Sequence, residues 1–314
     1  MTAFRLAHLS DLQLPPPPLP FWRDAASKRL LSRFAWRRKR RRHVRPVLDA
    51  IAAHIITRAP DHVAITGDVI NFSTPEEFEA ARVWLERLGD PRDVTISPGN
   101  HDALSARGAP PGFAPWRPWL ADDDAGDFPH LRVRGPVAIV NLSSATPTAL
   151  HLAQGALGRR QIDAAARLLQ DAEARGLYRV LLVHHPVTSG IVSGRKALVD
   201  AADLREMLKA TGAELILHGH AHEAHLGRLA GPTRDIPVIA VPAASTPAGG
   251  SGQPARWNEI EITPGVDGFR TRVVAFGITP ALTVEPMGAF VLHPATSAGQ
   301  NRPDHPSPAP AAFL

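Results

Sequence analysis

Short apolar runs recur along the chain, and each stops at a polar residue of the kind that holds a metal or a proton. Phe4-Arg5-Leu6-Ala7-His8-Leu9 leads to Ser10-Asp11 with Gln13, and Asp61-His62-Val63-Ala64-Ile65-Thr66 leads to Gly67-Asp68. Val94-Thr95-Ile96 runs towards Gly99-Asn100-His101-Asp102. Val180-Leu181-Leu182-Val183 ends at His184-His185, and Glu214-Leu215-Ile216-Leu217 precedes Gly219-His220-Ala221-His222. Runs this short are of strand length. Between them lie helical patterns at residues 43–59, 158–175 and 201–210, and one from Thr74 to about Leu88. Thr74-Pro75-Glu76-Glu77 supplies an N-cap, a proline in the first turn and a glutamate at the third helical position.

Alternating strands and helices predict a layered α/β sandwich, and such a sheet displays its site residues at the C-terminal ends of its strands. Val137-Ala138-Ile139-Val140 reads as a further strand after an irregular stretch at 103–135. From Ala224 onward the pattern is strands without helices, which predicts an antiparallel second sheet. Residues 1–279 form the folded domain in this reading. Residues 280–314, rich in Pro and Ala without periodicity, are expected to be a disordered tail.

With no cysteine in 314 residues, disulfides, thiolate catalysis and Cys-type zinc sites are excluded, so any metal must be held by oxygen or imidazole. No apolar run approaches the length of a membrane span, and the chain opens on a strand-like run, so a cytoplasmic location is expected. The net charge of +5 is unevenly placed: residues 23–45 hold eleven Arg or Lys against the single Asp24, which leaves the rest of the chain net acidic.

Taken singly, the polar residues after these strands have ordinary explanations. A lone aspartate after a strand is more often a helix cap. His54, His62 and His185 read as structural or surface residues. Five such elements in order, Asn-His-Asp and Gly-His-Ala-His among them, are another matter. Hard oxygen donors mixed with imidazole suit Mn, Fe, Zn or Mg in open sites rather than a closed structural zinc.

As an ordered set, these blocks resemble the calcineurin-like metallophosphoesterases, whose signature is Asp-x-His, Gly-Asp, Gly-Asn-His-Asp or Glu, a later His, and Gly-His-x-His. The resemblance runs from about residue 4 to 276. It implies a four-layer α-β-β-α sandwich of two mixed sheets, with the metal site at the C-terminal edge of the strands. It also implies two divalent ions, Mn foremost, the first held by Asp11, Gln13 and His222 and the second by Asn100, His184 and His220, with Asp68 bridging both. A metal-bridging hydroxide would attack phosphorus in a phosphodiester or diphosphate. His101 would point to the phosphate as proton donor to the leaving group or stabiliser of its charge. Asp102 would either orient His101 or cap its loop. A phosphomonoesterase and a phosphate-binding module weakened in catalysis are the alternatives.

Gln13 departs from the family's histidine. Glutamine at this position also occurs in a Mn-dependent branch resembling ADP-ribose and CDP-alcohol diphosphatases, and the alternative is that it turns away while water completes the shell. The second departure is the basic insert at about 21–45. Leu30, Leu31 and Phe34 share a helical face beside Trp22, Trp36 and the run from Arg37 to Arg42, a pattern of helices lying on anionic membranes. The expected partners are therefore a phosphate-ester or nucleotide-type substrate and an anionic membrane at its inner face, with nucleic acid as the competing polyanion and a solvated surface helix as the plain alternative.

Overall fold

A computed structural model describes residues 2–17, 36, 42–104, 113–122, 126–149, 151–266 and 268–292. The face of the insert carrying Leu30, Leu31, Phe34 and Arg37 to Arg41 lies outside the described residues, and with it the expected membrane contact. Among the described residues, no helix is long and apolar enough to cross a membrane.

Strands β1 (Phe4–Leu9), β2 (His62–Ile65) and β3 (Val94–Ile96) run parallel, and helices α1 (Arg45–Arg58) and α2 (Pro75–Leu88) make the crossovers. The second sheet is built from β4 (His130–Arg134), β5 (Val137–Asn141), β6 (Tyr178–Leu182) and β7 (Leu215–His218), together with β8 (His225–Leu229) and β9 (Ile236–Ala240). Its order is β4-β5-β6-β7-β9-β8, with α4 (Arg159–Ala174) and α5 (Ala201–Thr211) in its crossovers. A single helical turn, α3 (Arg117–Leu120), precedes β4. The cap foreseen for α2 is present: Glu77 N–H donates to Thr74 Oγ1 at 3.3 Å, and Thr74 N–H donates to Glu77 Oε2 at 3.1 Å.

Three apolar cores define four layers. Ala7, Leu9, Ile65 and Ile96 pack with Leu48, Ile51 and Phe78 of α1 and α2. Val140, Leu181 and Ile216 pack with Ile162, Leu169, Leu204 and Leu208 of α4 and α5. Leu6, Ala64, Ile260 and Val273 of the first sheet meet Ile139, Val180, Leu182 and Leu217 of the second. Neighbouring residues of one strand thus serve different cores, which is why the parallel strands read as continuous apolar runs. The architecture is the α-β-β-α sandwich of two mixed sheets.

Three expectations need correction. The strands after Ala224 do not make a sheet of their own. β8 and β9 extend the second sheet, whereas β10 (Arg256–Gly265) pairs antiparallel with β1, Phe4 opposite Ile262, and carries β11 (Gly268–Ile278) on its other side. A period-two pattern shows that a strand has two faces but does not name its neighbour. The tail does not begin at 280: β12 (Val284–Leu292) pairs with β11 as a mostly exposed edge strand. Its ladder comes from backbone groups, which composition does not report; residues 293–314 lie outside the described set. The stretch 103–135 is not wholly irregular, since α3 and β4 lie within it.

Arg132 of β4 fastens the edges of the two sheets. It is 1% exposed and donates to the carbonyls of Pro91 and Val94 beside β3, at 2.8 and 2.7 Å, and of Pro118 and Ala121 at 2.5 and 2.8 Å. Arg132→Met keeps the stem and removes every donor, stranding buried carbonyls at about 1–3 kcal/mol each where no other donor reaches them. We expect urea unfolding to show a loss of about 3 kcal/mol; a loss below about 1 kcal/mol would mean that the sheet edges are held by packing alone.

Candidate metal centre

Five strand ends of the two sheets converge on one cleft. Asp11 and Gln13 follow β1, Asp68 follows β2, Asn100 and His101 follow β3, His184 follows β6, and His220 and His222 follow β7. All eight residues selected from the sequence come together. Gln13, Asp68, Asn100, His101, His220 and His222 line the cleft, and Asp11 and His184 lie beneath it, each fully buried.

The backbone is forced at these positions. Asp11, Gln13, Asp68, His220 and His222 take φ values of 52°, 42°, 50°, 67° and 58°, in the left-handed region that side chains disfavour. Such strain persists only where surrounding bonds over-determine it. Here Asp11 N–H donates to Gly67 O and Gln13 N–H to Asp68 O, both at 2.9 Å, and His220 N–H donates to Asp11 Oδ2 at 3.0 Å. Gly99 has no alternative either, because a Cβ there would fall on Asp68 Oδ1 and on the Asp68 backbone nitrogen.

Asp68 occupies the middle. Its Oδ1 accepts from His101 N–H at 2.8 Å, and its Oδ2 lies 3.4 Å from His184 Nε2. On one side, Asp11 Oδ1 lies 3.1 Å from His222 Nε2, and the Gln13 amide reaches within 3.4 Å of that same nitrogen. On the other side, His184 Nε2 is 3.3 Å from Asn100 Oδ1 and 3.2 Å from His220 Nδ1. His184 Nδ1 donates to Thr66 O at 2.6 Å, which turns Nε2 towards the cluster. The Gln13 side chain thus lies beside His222, its amide nitrogen the nearer atom.

The electrostatics follow from that crowding. Burial opposes ionisation of Asp68, but the imidazoles of His184, His101 and His220 outweigh it and hold the carboxyl well below its usual range. Burial likewise opposes charge on His184, yet Asp68 and Asp11 push it up to about 9. Asp11 is held low against burial by His222, while burial and the neighbouring imidazoles press His220 well below its ordinary value. Buried carboxylates paired with imidazoles call for compensating positive charge.

The donor set fits divalent cations. Asp11, Asp68 and His184 each offer a ligand atom within 4.8 Å of the others. His220 Nε2 is buried without a hydrogen-bond partner, which leaves its lone pair free for a cation. His184, His185 and His220 are equally close together. Yet His185 already has a partner at each nitrogen, the Ser144 hydroxyl at 2.7 Å and the Ala153 carbonyl at 3.2 Å, in keeping with a structural role.

One support escaped the sequence reading. The Asn71 carbonyl, 2.9 Å from His101 Nδ1, orients the ring expected to act on substrate. Asp102 instead caps the loop, accepting from Val69, Ile70 and Gly99 N–H at 2.9, 3.1 and 2.8 Å. A backbone carbonyl leaves no mark in a sequence. His43, 5% exposed and edge-on to His222 at 5.7 Å, was also missed, because it sits alone at the end of a charge run.

The profile of calcineurin-like phosphoesterases matches residues 4–224. A protein of Synechococcus sp. named a probable cyclic nucleotide phosphodiesterase is 28% identical over 223 residues, which cover 70% of this chain and 78% of the relative. Among solved structures, a dimetal phosphatase from Danio rerio superposes with a TM-score of 0.56 at 12% identity, covering 88% of this chain and 96% of that one. A purple acid phosphatase from yellow lupin gives 0.58 at 10% identity, covering 92% of this chain and 53% of that one. The structural likenesses speak to the fold; the matched profile, spanning all five strand-end blocks, shows that this chain belongs to the calcineurin-like phosphoesterase family.

Proposed function

We propose that the chain hydrolyses a phosphodiester with the help of two divalent cations, Mn²⁺ foremost. The observation that carries this reading is the placement of Asp68 between two donor sets, Asp11, Gln13 and His222 on one side and Asn100, His184 and His220 on the other. When bound, such a pair of cations neutralises phosphate oxygens and activates water. The protein's part is to fix the two donor sets on strand ends and to keep Asp11 and His184 out of solvent. His101 faces the same cleft with Nδ1 held by Asn71 O, so Nε2 is the atom that would meet the leaving oxygen, as proton donor or as stabiliser of its charge. The Synechococcus relative's name favours a phosphodiester. Gln13 favours a diphosphate as the second reading, because glutamine at this position also occurs in the Mn-dependent branch resembling ADP-ribose and CDP-alcohol diphosphatases, and an amide oxygen suits Mn²⁺ better than Zn²⁺.

Hydrolysis of bis(p-nitrophenyl) phosphate with added Mn²⁺, abolished by chelation, tests the reading; no turnover with any of Mn²⁺, Fe²⁺, Zn²⁺ or Mg²⁺ would leave a phosphate-binding module. A panel of monoesters, diesters, cyclic nucleotides and nucleotide diphosphate conjugates then separates the bond classes.

Asp68→Asn removes the charge shared by the two donor sets, so metal content and turnover should fall together. A variant keeping two metals per chain and a near-normal rate would contradict the bridging role. His101→Ala should keep its metals and lose roughly 10²-fold in kcat on poor leaving groups, with a smaller loss on good ones. Equal loss across a leaving-group series would assign His101 to phosphate positioning. Gln13→His should tighten metal binding at the first site and widen metal tolerance. Identical Mn²⁺ and Zn²⁺ titrations of the two proteins by calorimetry would show that Gln13 is not a ligand.

A further inference from the structure

The cleft has a wall that the metal cluster does not use. Trp36, Arg42 and His43, from the end of the basic insert, line it together with Phe72. The Trp36 ring stacks on His43 with centroids 5.7 Å apart and planes 13° from parallel, and it stands edge-on to Phe72 at 6.2 Å. His43 in turn meets His222 edge-on at 5.7 Å. The rings form a ladder from the outer cleft to the first donor set.

This ladder is anchored from below. His43 Nδ1 bonds the Ser245 hydroxyl at 2.8 Å, and that hydroxyl donates to Asp11 O at 3.4 Å. His43 is thereby fixed to the same backbone that presents Asp11. Phe72 directly follows Asn71, whose carbonyl holds His101, so the aromatic wall adjoins the side on which a leaving group would depart.

A phosphoryl group on two cations needs none of this. The cleft, at about 680 Å³, exceeds what a phosphate fills and lies in the range of sites for nucleotide-sized molecules. An alkyl chain would gain contact from any apolar wall. Stacked rings, with Arg42, Ser251 and Gln253 also lining the cleft, suit a flat group that has π-faces and hydrogen-bonding edges. We propose that Trp36, backed by His43 and flanked by Phe72, is a stacking subsite for a nucleobase carried by the substrate, and that the insert thereby sets substrate choice. The inference rests on the proposed function only in assuming that the phosphate of the same molecule occupies the donor cluster.

The test is calorimetry on the full chain with Mn²⁺, using the hydrolysis-resistant 5′-phosphonate analogue of AMP and the same analogue lacking the base. The wild type should bind the adenine compound about tenfold tighter or more. Trp36→Ala should bring the two affinities together, and Trp36→Phe, which keeps a stacking face, should retain most of the difference. Equal affinities in the wild type, no binding of either compound, or a preference that survives Trp36→Ala would overturn the subsite. Turnover of bis(p-nitrophenyl) phosphate is measured on the same samples. Turnover without base preference sinks the subsite alone, and base preference without turnover sinks the hydrolase alone.

Discussion

Asp11 and Asp68 are buried where the strand ends of two sheets meet, and burying a carboxylate without compensation costs several kcal/mol. The groups that touch their oxygens supply positive charge or a donor. His184 and His222 lie against their oxygens, His101 and His220 turn backbone N–H groups onto them, and Asn100 and Gln13 add amides around the rim. Divalent cations would answer that demand more completely than imidazolium protons can, because each brings two charges and accepts several donors at once.

The same demand explains the local backbone. Bringing donors from five loops to one point requires the chain to turn sharply as it leaves each strand, and Asp11, Gln13, Asp68, His220 and His222 do so in left-handed conformations. Strain of about 1–3 kcal/mol per residue is tolerable only on a rigid frame. That frame is the inter-sheet core of Leu6, Ile139, Val180, Leu217 and Ile260, fastened by Arg132 where edge strand β4 meets edge strand β3. Shape and function therefore share one origin, the apposition of two sheets whose C-terminal edges face the same cleft.

The metal-type residues were legible because each belongs to a short block at the end of an apolar run, and strand-end placement is a local property. The α2 cap was legible for the same reason, with Thr74 and Glu77 three residues apart. What was not legible depends on partners far along the chain. β10 joins β1 across some 250 residues, β12 is an edge strand of mostly exposed residues, and both orienters, Asn71 O for His101 and Thr66 O for His184, are backbone atoms. His43 and Trp36 stood in a charge run that drew attention to its arginines. Only the fold shows that the end of that run turns into the cleft.

The central claim is that Asp68 lies between two cations. Crystals grown with Mn²⁺ and recorded at the manganese absorption edge test it directly. The account predicts two anomalous peaks about 3.5–4 Å apart, one on each side of the Asp68 carboxylate. The first should lie among Asp11, Gln13 and His222, the second among Asn100, His184 and His220. No peak, or a single peak away from Asp68, would contradict it.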